Sequence, residues 1–346
     1  MKERLLKLAK YGGIVGYPVF YVLCLLVFSS ITFPYDKLKE RIIASFNANQ
    51  RETNGKEELQ IDELGGYWIS GVRMKGVRLL SAPAEPGKPL SKIQLDEATV
   101  RYSMLGALIG NSDVNFDVYA FGGEASGSYD VSGKDKSIKL NLDTVDIGQL
   151  EPVVELIGVP MQGKIDGTVH LSLPEGKLSK ASGSIALDVK GLSVGDGKAK
   201  LKGGLALPKV DVGTLTIAAE AKDGTLKITK LAAGGKDVEL QGDGRVTLRD
   251  GGASESLFDG QVRFKINDVY RSKNDITKSL FGAPGSNAPA LFELADPKVK
   301  QSKRTDGFYA WTLRGPLGRL EFIPAGNSPA ASPGGLGNPL LPRVNP

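Results

Sequence analysis

His170 is the only histidine in the 346 residues, and Cys24 the only cysteine. The side chains most often used for general-base, nucleophilic and metal chemistry therefore occur once each and far apart. A neutral imidazole could act as base in a Ser-His-Asp arrangement. His170, however, lies on the polar side of an alternating segment, with no G-x-S-x-G elbow to present a nucleophile. One cysteine and one histidine do not make a Cys/His zinc site. Cys24 lies in an apolar run that disfavours the thiolate, and a lone cysteine excludes an intramolecular disulfide. Asp135, Asp196, Asp223, Asp243 and Asp250 stand beside glycine or lysine, as at turn tips, without the nonapeptide spacing of calcium β-rolls. The glycine pairs at 65–66, 122–123, 203–204, 234–235 and 251–252 spell no GxxxxGK[ST] loop, so turns and bulges account for them better than phosphate binding. These patterns point to a structural or binding protein, not an enzyme, with no catalytic residue, cofactor or metal.

Charge excludes a further class. The net charge is +5, but Lys2, Arg4, Lys7 and Lys10 stand against Glu3 alone in the first ten residues, leaving the rest close to balanced. No basic stripe with interleaved aromatics follows, so nucleic acid is not an expected partner.

The elements that must carry any function begin with an anchor. Residues 1–10 read as a basic tail. Residues 11–33, YGGIVGYPVFYVLCLLVFSSITF, contain no charge. As a helix they reach roughly 35 Å, enough for a hydrocarbon core of roughly 30 Å, and Pro18 and the glycines are tolerated in lipid. A cleaved signal peptide is the competing reading; the run is longer than a signal core and no clean small-x-small site follows. The basic tail then stays in the cytoplasm and the rest of the chain crosses the bacterial inner membrane into the periplasm, as a single-pass protein. Residues 34–57 read as an amphipathic helix and connector, with Leu38, Ile42, Ile43 and Phe46 on one face.

From 58 to 323 the dominant period is two. Ile165, Val169, Leu171 and Leu173 alternate with polar residues. So do Ile185, Leu187 and Val189, and later Leu215 with Ile217, Leu226 with Ile228, Val238 with Leu240, Val246 with Leu248, and Val262, Phe264 with Ile266. One apolar and one polar face per strand is the pattern of an antiparallel sheet covered on one side. Glycine, 44 residues or about twice the usual share, supplies the turns. The expected fold is mainly β: an N-terminal transmembrane helix, then an elongated, twisted antiparallel sheet with a few short helices. Its candidate working surface is the apolar face formed by Ile185, Leu187, Val189, Ile217, Ile228, Leu240, Val246 and Phe264, either a closed core or an open groove. Asp188 is expected at the opposite, solvated surface. Short helices are expected after Asp146, whose spacing to Gln149 suggests a capping box ahead of Leu150–Ile157, and from about Asn274 to Phe281. DIGQL at 146–150 recurs as DVGTL at 211–215, and FGGEASGSYDV at 121–131 resembles GGKDVELQGDGRVTL at 234–248, suggesting repeated hairpin units. Residues 324–346 read as a Pro/Gly-rich disordered tail.

The order of segments, FPYDKLKERI at 33–42, GGYWISGVRMKGVRL at 65–79, PMQGKIDGTVHLSL at 160–173 and GGKDVELQGDGRVTL at 234–248, resembles the longer form of the type II secretion system protein N family, itself similar to AsmA-like envelope proteins. The resemblance spans roughly residues 10–325. It implies a non-catalytic, inner-membrane-anchored periplasmic component of the secretion system that meets other type II secretion subunits, with no catalytic residues to carry over. The AsmA-like side implies an alternative, a lipid-binding or lipid-transfer protein holding phospholipid in an apolar groove.

Overall fold

The computed structural model describes residues 16–25, 27–28, 31–52, 57–68, 70–81, 91–103, 111–150, 159–197, 208–286 and 290–326. The basic tail 1–10, the start of the uncharged run, the helix expected over Leu150–Ile157 beyond its first residue, and the tail from 327 onward lie outside these residues.

Fourteen strands follow one another in space as in sequence, forming a single antiparallel sheet of order β1 to β14. They are β1 (Glu57–Tyr67), β2 (Gly71–Ser81), β3 (Ser91–Tyr102), β4 (Asn111–Ala120), β5 (Gly123–Ser132), β6 (Asp135–Asp146) and β7 (Met161–Leu173), then β8 (Ser182–Val194), β9 (Val210–Lys222), β10 (Thr225–Gly234), β11 (Val238–Thr247), β12 (Leu257–Ile266), β13 (Tyr309–Pro316) and β14 (Glu321–Pro324). The expected limits of the β region, 58 and 323, each fall one residue short. Tight turns force this meander. Gly122 and Gly133 have φ of +65° and +61°, a region open to glycine at little cost, and each closes a hairpin at which only two residues separate the strands.

The ladder is not regular. Pairing skips Asp62, Gly76 and Asp96 on the first three strands, and register shifts recur between Leu142 and Val145, Gln162 and Lys164, Val189 and Leu192, and Ile228 and Leu231. Each inserts a bulge that bends a strand and increases local twist.

Among the described residues the α-helices sit at the two ends. The first, α1 (Tyr35–Glu52), lies within the expected connector and lays Tyr35, Leu38, Ile42 and Ile43 against Ile61, Leu64 and Val77. Four short helices lie between β12 and β13: α2 (Asp268–Arg271), α3 (Asp275–Phe281), α4 (Leu291–Ala295) and α5 (Pro297–Ser302). Of these, α3 alone matches an expected helix; Asn274 caps it by accepting from Thr277 N at 2.9 Å. Asp146 does cap a turn, but of a short 3-10 helix (Ile147–Gln149), accepting from Gly148 N at 2.9 Å. Ahead of α1, residues 16–25, 27–28 and 31–32 are helical, with Tyr17 (79% exposed), Phe20, Tyr21 and Phe28 uncovered by protein. Among the described residues no helix is long and apolar enough to cross a membrane; several residues of the uncharged run are not among them.

Candidate functional site: the apolar face of the sheet

All eight residues expected on the apolar face do lie on one face, and cross-strand register ties them into rows. One row passes through every strand: Leu64, Met74, Ala98, Val118, Ala125, Leu142, Gly167, Leu187, Ile217, Leu231, Gly242, Val262, Trp311 and Pro324 are successive cross-strand partners. A second runs beside it: Gly66, Val72, Val100, Phe116, Gly127, Leu140, Val169, Ile185, Ala219, Ile228, Gly244, Gly260, Leu313 and Phe322. Val189, Leu240 and Phe264 belong to a flanking row, Val246 to another on the opposite side. No polar side chain interrupts either central row. At the usual strand spacing they extend roughly 60 Å across the sheet.

The cover over this face is uneven. Val189 and Val246 are buried; Ile185, Leu187, Ile217, Ile228, Leu240 and Phe264 are half-buried. At one end α1 supplies a lid, with Tyr35 Oη 2.5 Å from where a Gly66 Cβ would stand, so that glycine admits the tyrosine. At the other, Tyr270 is fully buried and donates its hydroxyl to Pro208 O at 2.7 Å, and Phe264, Phe281, Phe292 and Tyr309 stack in a cluster. Between these ends, over β4–β7, the described residues supply only the 3-10 turn Ile147–Gln149, packed beside β7 with Ile147 against the apolar cluster, and no second sheet. Four strands by four rows is on the order of 500 Å² of sheet face, as large as the largest apolar patches of monomeric proteins. Among the described residues no second sheet packs on this one.

The other face is charged and self-neutralising: Arg73 pairs with Glu97 at 3.2 Å, Lys190 with Asp166 at 3.1 Å, and Arg245 and Arg314 with Asp259 at 3.2 and 3.1 Å. A Thr144 N–H bond first, then Lys190, holds the Asp166 carboxyl below its usual range. His170 is exposed on this face with Lys139 and Ser184 opposite it across the ladder; among the described residues no acid orients its ring. No group of three or more His, Cys, Asp or Glu among the described residues could hold a metal ion. Asp188 departs from its expected place in open solvent. It is half-buried and accepts from Thr216 Oγ1 at 2.7 Å, because the neighbouring strand carries a hydroxyl at that register.

Both edges of the sheet are blunted. On β1, Asn47 Oδ1 accepts from Leu59 N at 3.1 Å and Lys39 donates to Asp62 O at 3.1 Å, so α1 occupies groups an added strand would need. On β14, Ala325 N bonds Ala310 O at 2.8 Å. Backbone alternation then turns the amide positions of Phe322 and Pro324 outward, and Pro324 has no N–H. A short edge ending in proline is a poor template for strand addition. Among the described residues the face, not an edge, is the less covered surface.

Sequence reasoning missed one feature. A cavity of about 690 Å³ lies where the central row reaches β12–β14, lined by Val262, Phe264, Trp311, Leu320, Phe322 and Ile323 and rimmed by Asp296, Lys298 and Glu321. One wall is α5, opened by Asp296, which accepts from Lys298 N at 2.8 Å, with Pro297 in its first turn. The Asp-Pro pair is the signal in the sequence; six residues are too few for a helical period. Glu293 pins this wall, accepting from Lys303 at 2.6 Å and Tyr309 Oη at 2.8 Å. Burial opposes the Glu293 charge, yet those bonds hold the carboxyl below its ordinary range, and burial pushes the Tyr309 hydroxyl up. Scanned against family models, characterised proteins and solved structures, the chain finds no match.

Proposed function

We propose that the chain is a non-catalytic, inner-membrane-anchored component of the type II protein secretion system, with residues 11–33 crossing the bilayer, the N-terminus cytoplasmic and the sheet in the periplasm. The observation that carries this reading is one fourteen-stranded sheet on whose apolar face, between the helical ends, the described residues lay no second sheet. Such a surface has no evident use in catalysis and a clear one in holding apolar material. The segments that resemble the secretion protein N family support the assignment: two of them contain β7 and β11 whole, and the other two hold the start of α1 and the turn and most of β2 in the β1–β2 hairpin. The uncovered aromatic residues ahead of α1 support the anchor, because Tyr17, Phe20 and Phe28 are costly in water and at home in lipid.

The central rows favour a second reading, an AsmA-like carrier of phospholipid. An extended peptide laid on them would bury its own N–H and C=O groups against aliphatic side chains, at about 1–3 kcal/mol for each group left unpaired. A polymethylene chain brings no such groups. In this reading the sheet is a groove for acyl chains.

One experiment separates the two. The full chain is affinity-purified from native membranes; co-isolated proteins are identified, and bound lipid is extracted and weighed against protein. Type II secretion subunits in the eluate support the first reading, and phospholipid at or above one per chain supports the second. An eluate with neither would overturn both.

A further inference from the structure

The course of α1 along β1 fixes which end of the sheet adjoins the uncharged run. Its tethers follow the strand in reverse order. The Tyr35 ring lies against Gly66, Lys39 donates to Asp62 O at 3.1 Å, Asn47 Oδ1 accepts from Leu59 N at 3.1 Å, and Gln50 donates to Glu57 at 3.3 Å. From Tyr35 to Asn47 a helix rises roughly 18 Å, and from Gly66 back to Leu59 a strand covers roughly 23 Å, so the two lie side by side and antiparallel. The start of α1 therefore sits at the β1–β2 turn. Only Phe33 and Pro34 separate it from the helical residues 31–32. The Phe33 and Tyr35 rings are 5.0 Å apart, and Tyr35 N and Leu38 N bond Phe33 O and Pro34 O at 2.9 and 3.2 Å. The uncharged run thus ends beside Gly66, and Gly66 is two residues, at most roughly 7 Å, from Trp68.

That turn differs from those farther along the same edge of the sheet. Trp68 is 78% exposed and sits at φ +53°, where a bulky side chain is an outlier and turn chemistry favours glycine or asparagine. Tyr102, 39% exposed, is held beside the turn by its N–H, which donates to Ser70 O at 3.1 Å. Arg73 and Arg101 stack on the Tyr67 ring at 4.8 and 5.8 Å and are paired with Glu97 and Asp117 at 3.2 and 3.6 Å. β3 ends and β4 begins at this end too, and the sequence between them, MLGALIG at 104–110, carries no charge. From β5 to β12 the turns on this edge expose charges instead: Lys134, then Glu175, Lys177 and Lys180, then Asp223 and Asp250. In water an exposed indole gains nothing from a strained turn. At the boundary between acyl chains and head groups it buries its ring while its N–H stays among polar groups. Resting on the membrane-anchored reading above, we propose that the β1–β2 turn is a second membrane contact: Trp68 inserts into the bilayer interface beside the anchor, and β1 and α1 rise from the membrane together. Because Arg73 and Arg101 are already paired, the contact needs no anionic head group.

The test is direct because Trp68 and Trp311 are the two tryptophans of the chain. The full chain carrying Trp311→Phe, which keeps a ring in the β13 row, is reconstituted into phosphatidylcholine vesicles. Their acyl chains are brominated either near the head group or near the methyl end, and bromine quenches a tryptophan on contact. Flotation with the vesicles is read on the same sample. Emission of the native chain less that of the Trp68→Phe chain gives the same quantity without altering β13, and Trp68 is exposed enough for its replacement to leave the fold intact. The expected result is flotation together with loss of Trp68 emission, the larger loss coming from bromine near the head group. Flotation with Trp68 quenched by neither lipid overturns the second contact and leaves the anchor standing. Equal or stronger quenching by bromine near the methyl end overturns the interfacial placement. A chain that does not float removes the anchor and this contact with it.

Discussion

At the scale of single residues, the proposed function expects the chain's scarce reactive groups to be spectators. His170 is solvated on the polar face and Cys24 lies on the apolar helical stretch. The double variant His170→Gln, Cys24→Ala should complement a deletion strain fully; loss of function at normal protein level would reveal a missed site. Glu175 offers a pH test. Lys180 and Lys177 hydrogen-bond its carboxylate and lower it from an ordinary 4.5 to about 2. A depressed folded-state value stabilises above the unfolded one, so this contribution is complete above about 4.5 and is lost as the pH falls toward 2. The group is fully exposed, so salt should weaken the effect. An NMR titration should place the Glu175 midpoint near 2; a midpoint near 4.5 would contradict the Lys177–Glu175–Lys180 geometry. The face of each candidate residue was legible from alternation alone, since strand side chains point to opposite sides by turns. The role of Asp188 was not, because Thr216 stands opposite it only through pairing across the long connection from β8 to β9. Similarly, the recurrence of DIGQL as DVGTL reflects a shared local turn: Asp146 accepts from Gly148 N and Asp211 from Gly213 N, each at 2.9 Å. One opens a 3-10 helix and the other lies within β9, so this similarity marks a turn, not a repeated hairpin.

At the scale of elements, the central rows predict which changes matter. Leu187 packs between Ile217 and Gly167. Leu187→Ala should cost about 2 kcal/mol, the low end for a core leucine because the site is half-buried. Leu187→Asp should cost more, stranding a carboxylate among apolar partners. Asp188→Ser, neutral if alternation alone decided, should cost about 1 kcal/mol for the lost bond to Thr216. Chemical denaturation of the three variants checks the order; equal midpoints would contradict the assigned faces. Gly127 tests the rows differently. A Cβ there would collide with the Lys139 carbonyl oxygen and press the Phe116 ring, so Gly127→Ala should lose about 1–3 kcal/mol, where a solvated strand glycine would gain. Strands were readable where alternation held. It failed where bulges shift the period, as between Leu142 and Val145, and the short helices α2, α4 and α5 hold too few residues to show one.

At the scale of the whole molecule, the apolar face that the described residues leave without a second layer is a surface suited to an occupant. About 500 Å² of apolar face at roughly 25 cal/mol per Å² is on the order of 12 kcal/mol left unrealised until something covers it. Lipid or protein would serve, and in the proposed periplasmic location the envelope would supply both. A periplasm-dependent reporter fused after residue 60 should be active, and a cytoplasm-dependent one silent; the reverse would refute the orientation. Order and alternation made the single meandering sheet legible. Which layer covers it was not, because a sandwich and an open face share the same pattern. Whether this sheet serves protein secretion through its apolar face is decided by type II exoprotein release from the native bacterium, with the gene deleted and then restored. Deletion should leave exoproteins in the periplasm. Release should return with the native chain and with the His170→Gln, Cys24→Ala variant, but not with Leu187→Asp expressed at a normal level. Undiminished release from the deletion strain would contradict a role in secretion.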